Sequence, residues 1–522
     1  MKRFIRKVAV LGSGVMGSRI ACHFANVGCE VLLLDIPPKE LDAIETKKGL
    51  TLDSKSVRNR IVNQSLQFAL KSNPSPIYRK SFATRIETGN FDDDLQKIKD
   101  CDWVIEVIVE RLDIKQQLFE KVELHRTAGS LISSNTSGIP IHMMLEGRSE
   151  DFQKHFCGTH FFNPPRYLQL LEIIPTPKTD NDVVDFLMDY GSKILGKKTV
   201  LCKDTPAFIA NRVGVYSIMA LFHAVKEMGF SVSEVDKLSG PILGRPKSAT
   251  FRTCDVVGLD TLVHVANGLK QNCLDDEERE LFELPDYISK MVENNWLGSK
   301  SGQGFYKKTK DENGKKTILA LDLDTLEYKK PEKVKFPTLE MAKPIEDLRQ
   351  RTKMLVMGMD KAGEFYRRIF GGLLAYVSNR IPEISDEFYK IDDALKAGFG
   401  WELGPFESWD LFGFEQGAKY IKDANKEMGN AIDEMREAGM TSFYKSENGR
   451  KMFFDMASKS YKVIPGTEKL VDLNALREDN KVWGNSDCTL VHLGEGILNL
   501  EFHTKMNTIG GGVLQGINKS ID

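Results

Sequence analysis

A glycine-rich segment near the N-terminus constrains the fold of this chain more than any other feature. Three glycines, Gly12, Gly14 and Gly17, directly follow a short apolar run that is typical of a buried strand. A helical pattern comes next, and a second apolar run then ends at Asp35. The spacing predicts a strand, a tight turn, a helix and a second strand, which is the arrangement of a dinucleotide-binding unit.

Each of these residue types has a mechanical reason for its position. Gly12 makes the tight turn, Gly14 lets the backbone approach a pyrophosphate, and Gly17 lets helix and strand pack closely. The helix N-terminus presents free N–H groups to the phosphates. Asp35 can accept hydrogen bonds from an adenosine ribose and would repel a 2′-phosphate. No arginine occurs in residues 36–39, so the sequence predicts NAD rather than NADP as the cofactor.

A second stretch, residues 158–174, places a histidine and a glutamate among apolar residues. It reads GTHFFNPPRYLQLLEII, and its two prolines predict a turn between two strands. Glu172 would be costly to bury in an apolar strand without a partner, and His160 across the turn would supply one. The pair is typical of a general base and its orienting carboxylate. The alternative is a capped turn histidine and an edge-strand glutamate that faces water.

Two further predicted strands end in polar residues. The first, residues 102–109, ends at Glu110, and Lys115 lies in the first turn of the helix that follows. The second, residues 130–134, leads into small polar residues at 135–138, which either cap the strand or offer hydroxyls to a substrate oxygen. Ligands of such sheets bind at the carboxyl ends of the strands, so Glu110 and Lys115 are well placed.

The segments between these motifs are predicted mostly as helices. Residues 39–98 are interpreted as a helical excursion from the sheet, either a solvated hairpin or an arm that contacts substrate. We predict a helix over 180–195, a short strand over 197–202, and a long helix from 204 to about 228. Pro206 suits the first turn of that long helix.

Length and composition limit the classes of function. The chain of 522 residues is too long for one core, and about three domains are expected. Its net charge of −2 provides no basic field for nucleic acid or an anionic membrane. No apolar run approaches the roughly 18 residues of a membrane span. The eight cysteines form no CxxC pair, which indicates reduced thiols in a cytoplasmic protein and no metal site.

Several motifs occur together in an order that resembles one enzyme family. Residues 5–308 resemble an L-3-hydroxyacyl-CoA dehydrogenase. The resemblance rests on the glycine loop, Glu110 with Lys115, SSNTSG (133–138), GTHFFNPP (158–165), LLEII (170–174), PAFIANR (206–212) and KSGQGFY (300–306).

The resemblance implies roles for individual residues. His160 would be the general base, Glu172 its partner, and Ser137 and Asn211 the contacts of the substrate oxygen. The residues implied at the NAD site are Gly12, Gly14, Gly17, Asp35, Glu110 and Lys115. The implied reaction is the oxidation of (3S)-3-hydroxyacyl-CoA to 3-oxoacyl-CoA, in fatty acid β-oxidation or a related acyl-CoA pathway.

Two other functions stay open from the sequence. The same scaffold could oxidise another hydroxy acid, such as a sugar acid, or it could be a non-catalytic NAD-binding structural protein. The intact His160 and Glu172 pair argues against the second. Residues 240–255 depart from the pattern of the shorter family members. The resemblance therefore does not determine the dimer contacts or the preferred length of the acyl chain.

An internal repeat follows the dehydrogenase-like region. Residues 400–413 echo residues 244–258, with Asp410 lying 155 residues after Asp255. A second helical copy is therefore expected. Its Asn379 does not correspond to Asn211, because 155 residues before it is position 224. The second copy is interpreted as a structural lid or core partner, and the two copies suggest a pseudo-dimer within one chain, with a homo-oligomer as the alternative.

The last residues predict a β-hairpin over 489–507 that resembles the opening of a crotonase (enoyl-CoA hydratase) domain. The chain ends before that domain would be complete, so we expect a truncated member of a fused dehydrogenase/hydratase group, or a fragment, without hydratase activity. The expected fold is an α/β Rossmann domain with a doubly wound, mostly parallel sheet, two all-α copies and the hairpin tail. The expected boundaries are 1–203 (Rossmann), 204–308 (first copy), 309–344 (linker), 345–480 (second copy) and 481–522 (tail).

Overall fold

The N-terminal part of the chain is built on one eight-stranded sheet. The computed structural model describes residues 3–332, 334–468 and 470–522. The strands of the sheet are β1 (Lys7–Leu11), β2 (Glu30–Asp35), β3 (Ile86–Asn90), β4 (Trp103–Glu106), β5 (Leu131–Ser134), β6 (Phe156–Phe161), β7 (Leu170–Pro175) and β8 (Lys198–Leu201). The helices around it are α1 (Val15–Asn26), α2 (Ala43–Lys47), α3 (Lys55–Arg58), α4 (Arg60–Lys71), α5 (Phe91–Asp94), α6 (Leu112–His125), α7 (Glu150–Lys154) and α8 (Asn181–Lys193).

The strand order of this sheet is β3-β2-β1-β4-β5-β6-β7-β8. Strands β1 to β6 run parallel, β7 is antiparallel to β6, and β8 is parallel to β7. The first six strands have the order of a dinucleotide-binding Rossmann fold, whose ligands bind where the order reverses, between β1 and β4. The predicted doubly wound, mostly parallel sheet is therefore confirmed.

Both faces of the sheet are buried, which explains the continuous apolar runs in the sequence. In β1, Val8 and Val10 pack into the core under α1, α4 and α8. Ala9 and Leu11 point to the opposite face and join the core shared with α6, α7 and the later helices. Alternate residues of one strand thus serve two separate cores.

The structure corrects four details of the predicted secondary structure. Strand β4 ends at Glu106, so residues 107–109 are not part of it. The excursion over 39–98 is not only helical, because it contains the edge strand β3. The long helix begins at Ala210 instead of 204, since Ala207 and Phe208 adopt left-handed backbone conformations. Pro206 consequently precedes the helix and does not lie in its first turn.

Two groups of helices follow, and each leads into a small antiparallel sheet. The first group comprises α9 (Ala210–Glu227), α10 (Val232–Ser239), α11 (Phe251–Val257), α12 (Leu259–Asn272) and α13 (Asp286–Glu293), with strands β9 (Tyr306–Lys310), β10 (Lys316–Leu321) and β11 (Tyr328–Lys329). The second comprises α14 (Pro337–Ala342), α15 (Leu348–Met357), α16 (Lys361–Asn379), α17 (Phe388–Phe399), α18 (Pro405–Phe412), α19 (Phe414–Asp423) and α20 (Asn430–Glu437), with strands β12 (Tyr444–Glu447), β13 (Arg450–Asp455) and β14 (Ser460–Val463).

The region predicted as a linker is more structured than the sequence suggested. It holds strands β10 and β11 and helix α14. The tail adds α21 (Leu473–Asp479), β15 (Lys481–Gly484), β16 (Cys488–Gly494), β17 (Ile497–Phe502) and α22 (Gly511–Ile521). Strands β16 and β17 form the predicted hairpin, and β15 adds a third strand to it. No helix in the described ranges is both long enough and apolar enough to cross a bilayer.

A buried aspartate ties the helices of the first copy to its small sheet. Asp255 of α11 accepts hydrogen bonds from the backbone N–H groups of Phe305 and Tyr306, both at 2.8 Å. The Tyr306 hydroxyl donates to Asp236 of α10 at 2.7 Å. These bonds fix the start of β9 against two helices.

The second copy repeats this arrangement. Asp410 of α18 accepts from the N–H groups of Phe443 and Tyr444, again at 2.8 Å. The Tyr444 hydroxyl donates to Asp392 of α17 at 2.8 Å. The repeat seen in the sequence is thus also present in the hydrogen bonding.

The two copies pack against each other through α9 and α16. The rings of Tyr216 and Tyr376 stack with centroids 3.7 Å apart. The Arg212 guanidinium, which is fully buried, donates to the Tyr376 hydroxyl at 2.7 Å. Asn379 lies at the C-terminal end of α16 and Asn211 near the N-terminal end of α9, so the two asparagines occupy different positions in their copies.

Removing one of the repeated aspartates should destabilise its copy. Asp410→Ala leaves two backbone N–H groups without acceptors, and each unpaired buried N–H costs about 1–3 kcal/mol. We expect urea denaturation, followed by tryptophan fluorescence, to show a loss of this order. Asp423→Ala is the matched control, because Asp423 is an exposed residue of the neighbouring α19 and should change stability by less than about 0.5 kcal/mol. Equal urea concentrations at the unfolding midpoint for the two variants would contradict the structural role of Asp410.

The same aspartate should make stability depend on pH. Burial raises the pKa of Asp410 to about 7, whereas a free carboxyl titrates at about 4. The folded copy therefore holds a proton that the unfolded chain has released. This contribution is present below about pH 4 and is lost as the pH rises through about 7. The difference in melting temperature between wild type and Asp410→Ala should be larger at about pH 5 than at about pH 8, and a difference that grows with pH would refute this.

Candidate active site

His160 and Glu172 lie directly opposite each other on neighbouring strands. Residue 160 of β6 pairs with residue 172 of β7 in the antiparallel register, so both side chains point to the same face. Nδ1 of His160 lies 2.7 Å from Oε2 of Glu172. Both residues are buried, with 4% and 0% of their surface exposed. Since a carboxylate only accepts, Nδ1 carries the proton, and Nε2 is the ring nitrogen left for chemistry.

The other oxygen of Glu172 reaches the helical part of the chain. Oε1 accepts hydrogen bonds from the backbone N–H groups of Ile209 at 3.2 Å and Ala210 at 2.8 Å. Ala210 is the first residue of α9, so the positive end of this helix faces the carboxylate. Glu172 is thus bonded on both oxygens, which compensates for its burial.

Two aromatic rings lie beside the imidazole. The His160 ring centroid is 4.5 Å from that of Phe162 and 5.7 Å from that of Phe208. Phe208 is fully buried, and Phe162 is partly exposed. The histidine therefore sits in a largely apolar setting, in which hydrogen bonds and charges act more strongly than in water.

The two predicted contacts of the substrate oxygen, Ser137 and Asn211, belong to different elements. Ser137 lies in the loop after β5, the parallel neighbour of β6. Asn211 is the second residue of α9. Asn135 joins the serine loop to β6, because its Oδ1 accepts from the Phe161 N–H at 2.8 Å. Both predicted substrate contacts are half-buried, and neither makes a hydrogen bond to His160 within the residues that the structure describes.

The glycine loop has the geometry that a dinucleotide needs. Gly12 has φ of +105°, and a Cβ there would collide with the Val107 carbonyl. A Cβ on Gly17 would collide with the Gly12 backbone, so close helix–strand packing requires glycine. A Cβ on Gly14 would meet no heavy atom within 4 Å, which leaves room for a phosphate at the uncapped start of α1. These residues fit a bound NAD.

Asp35 holds this loop in place. Its Oδ2 accepts from the Ser13 backbone N–H at 2.6 Å and from the Ser13 hydroxyl. Its Oδ1 accepts from the Ile36 N–H at 2.7 Å. The carboxylate therefore lies at the carboxyl end of β2, beside the turn that carries Gly12 and Gly14, where the sequence predicts ribose binding.

Glu110 and Lys115 belong to one buried network. Glu110 Oε1 accepts from the Ser137 N–H at 2.9 Å, the Gly138 N–H at 3.1 Å and the Thr136 hydroxyl at 2.6 Å. Burial opposes ionisation of Glu110, but the Lys115 ammonium and these donors hold its pKa below the usual value. Lys115 itself is only 1% exposed and lies 3.4 Å from Glu110. Glu110 thus fixes the loop that carries Ser137.

Glu106 is a residue of the site that the motifs did not reveal. It is fully buried, accepts from the Lys115 ammonium and the Ile108 N–H at 2.7 Å each, and also accepts from the Ser134 hydroxyl. The signal was available, since Glu106 is a carboxylate inside an apolar strand, as Glu172 is. In the described part of the chain no cluster of three or more His, Cys, Asp or Glu has the arrangement of a metal site.

Comparison with known proteins identifies the two parts of this site. Residues 7–205 match the sequence profile described as "3-hydroxyacyl-CoA dehydrogenase, NAD binding domain". Residues 208–308 match the profile described as "3-hydroxyacyl-CoA dehydrogenase, C-terminal domain". The division between the profiles falls at the turn that precedes α9. The sheet that carries His160 and Glu172 is therefore the NAD-binding domain.

Individual relatives agree with these matches. A probable 3-hydroxyacyl-CoA dehydrogenase of Bacillus subtilis is 46% identical over 523 residues, which cover 100% of this chain and 65% of that protein. The chain thus spans just under two thirds of that relative's length. A probable 3-hydroxyacyl-CoA dehydrogenase of Deinococcus radiodurans is 49% identical over 308 residues, 59% of this chain and 84% of that protein.

A solved structure extends the likeness in fold beyond the first copy. The crystal structure of 3-hydroxybutyryl-CoA dehydrogenase from Escherichia coli aligns with 81% of this chain and 94% of its own, with a TM-score of 0.56 and 21% identity. At this identity the alignment speaks for the fold alone. The two profile matches and the Deinococcus relative lead to one conclusion: the chain belongs to the 3-hydroxyacyl-CoA dehydrogenase family.

Proposed function

We propose that this chain oxidises (3S)-3-hydroxyacyl-CoA to 3-oxoacyl-CoA with NAD as the acceptor. The observation that carries the proposal is the buried His160–Glu172 pair at 2.7 Å, on the same sheet as the open glycine loop of an NAD-binding domain. A structural NAD-binding protein has no need of a buried base that is oriented by a carboxylate. Family membership supports the acyl-CoA thioester as the substrate class.

In this proposal His160 removes the proton of the 3-hydroxyl group. Its Nδ1–H is held by Glu172, so Nε2 has a free lone pair for that proton. The imidazolium that forms lies 2.7 Å from the carboxylate, which stabilises the new positive charge. Because Glu172 is itself fixed by two backbone N–H groups, the ring is oriented before the substrate binds.

Ser137 and Asn211 would hold the substrate oxygen while its charge changes. A hydroxyl and a side-chain amide can each donate a hydrogen bond to that oxygen, which favours the transition state more than the ground state. Glu110 would support this role by fixing the backbone of the Ser137 loop. When bound, NAD supplies the hydride acceptor, and Gly12, Gly14, Gly17, Asp35, Glu110 and Lys115 would hold or surround it.

The wider assignments are part of the same proposal. We place the reaction in fatty acid β-oxidation or a related acyl-CoA pathway, and the protein in the cytoplasm. All eight cysteines are free, buried thiols, which supports a reducing compartment. The domain boundaries, the lack of hydratase activity and the pseudo-dimer within one chain remain predictions from the sequence.

Replacing the proposed base tests the mechanism. His160→Ala should lower the rate of NADH-dependent reduction of acetoacetyl-CoA by about 10²–10⁴-fold, the usual effect of losing a general base. NADH binding, measured by fluorescence titration, should stay near normal, since His160 lies outside the glycine loop. His264→Ala is the control, because His264 is exposed on α12. A folded His160→Ala protein with normal turnover would rule out the assignment, and equal wild-type rates with free hydroxy acids would argue against a CoA substrate.

The position of Asp35 predicts the choice of cofactor. The wild type should have a higher kcat/KM with NAD than with NADP, because the Asp35 carboxylate repels a 2′-phosphate. Asp35→Ser combined with Ile36→Arg should narrow or reverse this ratio. Steady-state rates with both cofactors provide the measurement. Equal use of NAD and NADP by the wild type would show that Asp35 does not face the ribose.

A further inference from the structure

We propose that the left-handed turn at Ala207 and Phe208 is a positioning element that holds the His160–Glu172 pair in its working geometry. The inference rests on the function proposed above and adds residues that act through the pair without touching substrate. It also gives a physical reason for the late start of α9.

The turn determines where two backbone N–H groups point. If the helix began at residue 204, as the sequence predicts, the N–H groups of Ile209 and Ala210 would face the carbonyls of residues 205 and 206. In the structure they donate to Oε1 of Glu172 instead. The interruption of the helix therefore provides the two donors that fix the carboxylate.

The backbone conformation of this turn is unusual. Ala207 has φ of 61° and Phe208 has φ of 54°, so two consecutive residues other than glycine lie in the left-handed region. Residues with a Cβ avoid this region, and they keep such conformations only where the surrounding structure enforces them. Here the surroundings are tightly packed, because both residues are buried. Strain of this kind is concentrated at functional sites.

The same turn also places a side chain against the base. The Phe208 ring lies 5.7 Å from the His160 ring, and Phe162 lies on it at 4.5 Å. Phenyl faces attract an imidazolium, and their bulk limits rotation of the ring. One turn thus acts on both members of the pair, through its amides on Glu172 and through a ring on His160.

The location of the turn gives it a second consequence. His160 and Glu172 belong to the sheet, whereas Phe208 and the two amides belong to the segment that begins the helical part. The catalytic pair is complete only when that segment is docked on β7. The imidazole of His160 is therefore oriented only when the helical part is docked on the sheet.

The test uses variants of Ala207 that differ in their tolerance of the left-handed region. Valine is β-branched and resists positive φ, whereas glycine adopts it freely. Ala249 is the matched control, since it also has a positive φ, of 50°, and lies in the helical part just before α11. We compare Ala207→Val, Ala207→Gly and Ala249→Val in the full chain.

Two readouts separate positioning from general destabilisation. The first is the downfield proton NMR signal of the hydrogen-bonded His160 Nδ1–H in protein labelled with ¹⁵N-histidine, assigned by its absence in His160→Gln. The second is the kcat and KM for reduction of acetoacetyl-CoA. The NMR signal needs no substrate, so a wild type that shows it but does not reduce acetoacetyl-CoA would refute the proposed function and leave the positioning role intact.

Ala207→Val should lose or broaden this signal and lower kcat by on the order of tenfold or more, with a smaller change in KM. Ala207→Gly should keep the signal. Ala249→Val should keep it too, even where its melting temperature falls as far as that of Ala207→Val. A folded Ala207→Val protein with a normal signal and normal kcat would overturn the proposal, and so would loss of the signal in Ala249→Val.

A side-chain variant covers the case in which Ala207→Val does not fold. Phe208→Leu keeps an apolar group of similar size but removes the ring beside His160. The Nδ1–H signal should change its chemical shift, because the ring current is gone, and kcat should fall severalfold. An unchanged shift together with an unchanged kcat would refute the role of Phe208.

Discussion

The carboxylate of Glu172 is the point at which the sheet and the helical part of the chain meet. One oxygen accepts from the imidazole of His160 on β6, and the other accepts from the first amides of α9. A fully buried carboxylate is stable only when its charge is compensated, so the fold requires both contacts. The sheet, the helical part and the imidazole of His160 are therefore held together by one side chain.

A second buried carboxylate organises the cofactor side in a similar way. Glu106 accepts hydrogen bonds from the Lys115 ammonium and the Ser134 hydroxyl, and Lys115 in turn lies beside Glu110. Glu110 then fixes the loop of Ser137. The charged groups of the site are thus already paired before any ligand binds. This indicates a preorganised site, and not one that forms only on binding.

Sequence reasoning succeeded where local pattern decides structure. Buried parallel strands read as apolar runs, so β1, β2 and β5 were found, and the opposition of His160 and Glu172 followed from the turn between their strands. Strand β3 was missed, because it is an edge strand of sequence IETGN with little apolar signal. The start of α9 was missed for another reason: residues 204–209 have helix-compatible sequence, but the buried residues Ala207 and Phe208 adopt left-handed backbone conformations.

The stacked tyrosines and the buried arginine between α9 and α16 join two copies that belong to one polypeptide. Association of two separate subunits would depend on their concentration. Copies linked in one chain have a high effective concentration for each other, which dilution does not change. Pairing of the copies thereby becomes a folding step in place of an association equilibrium.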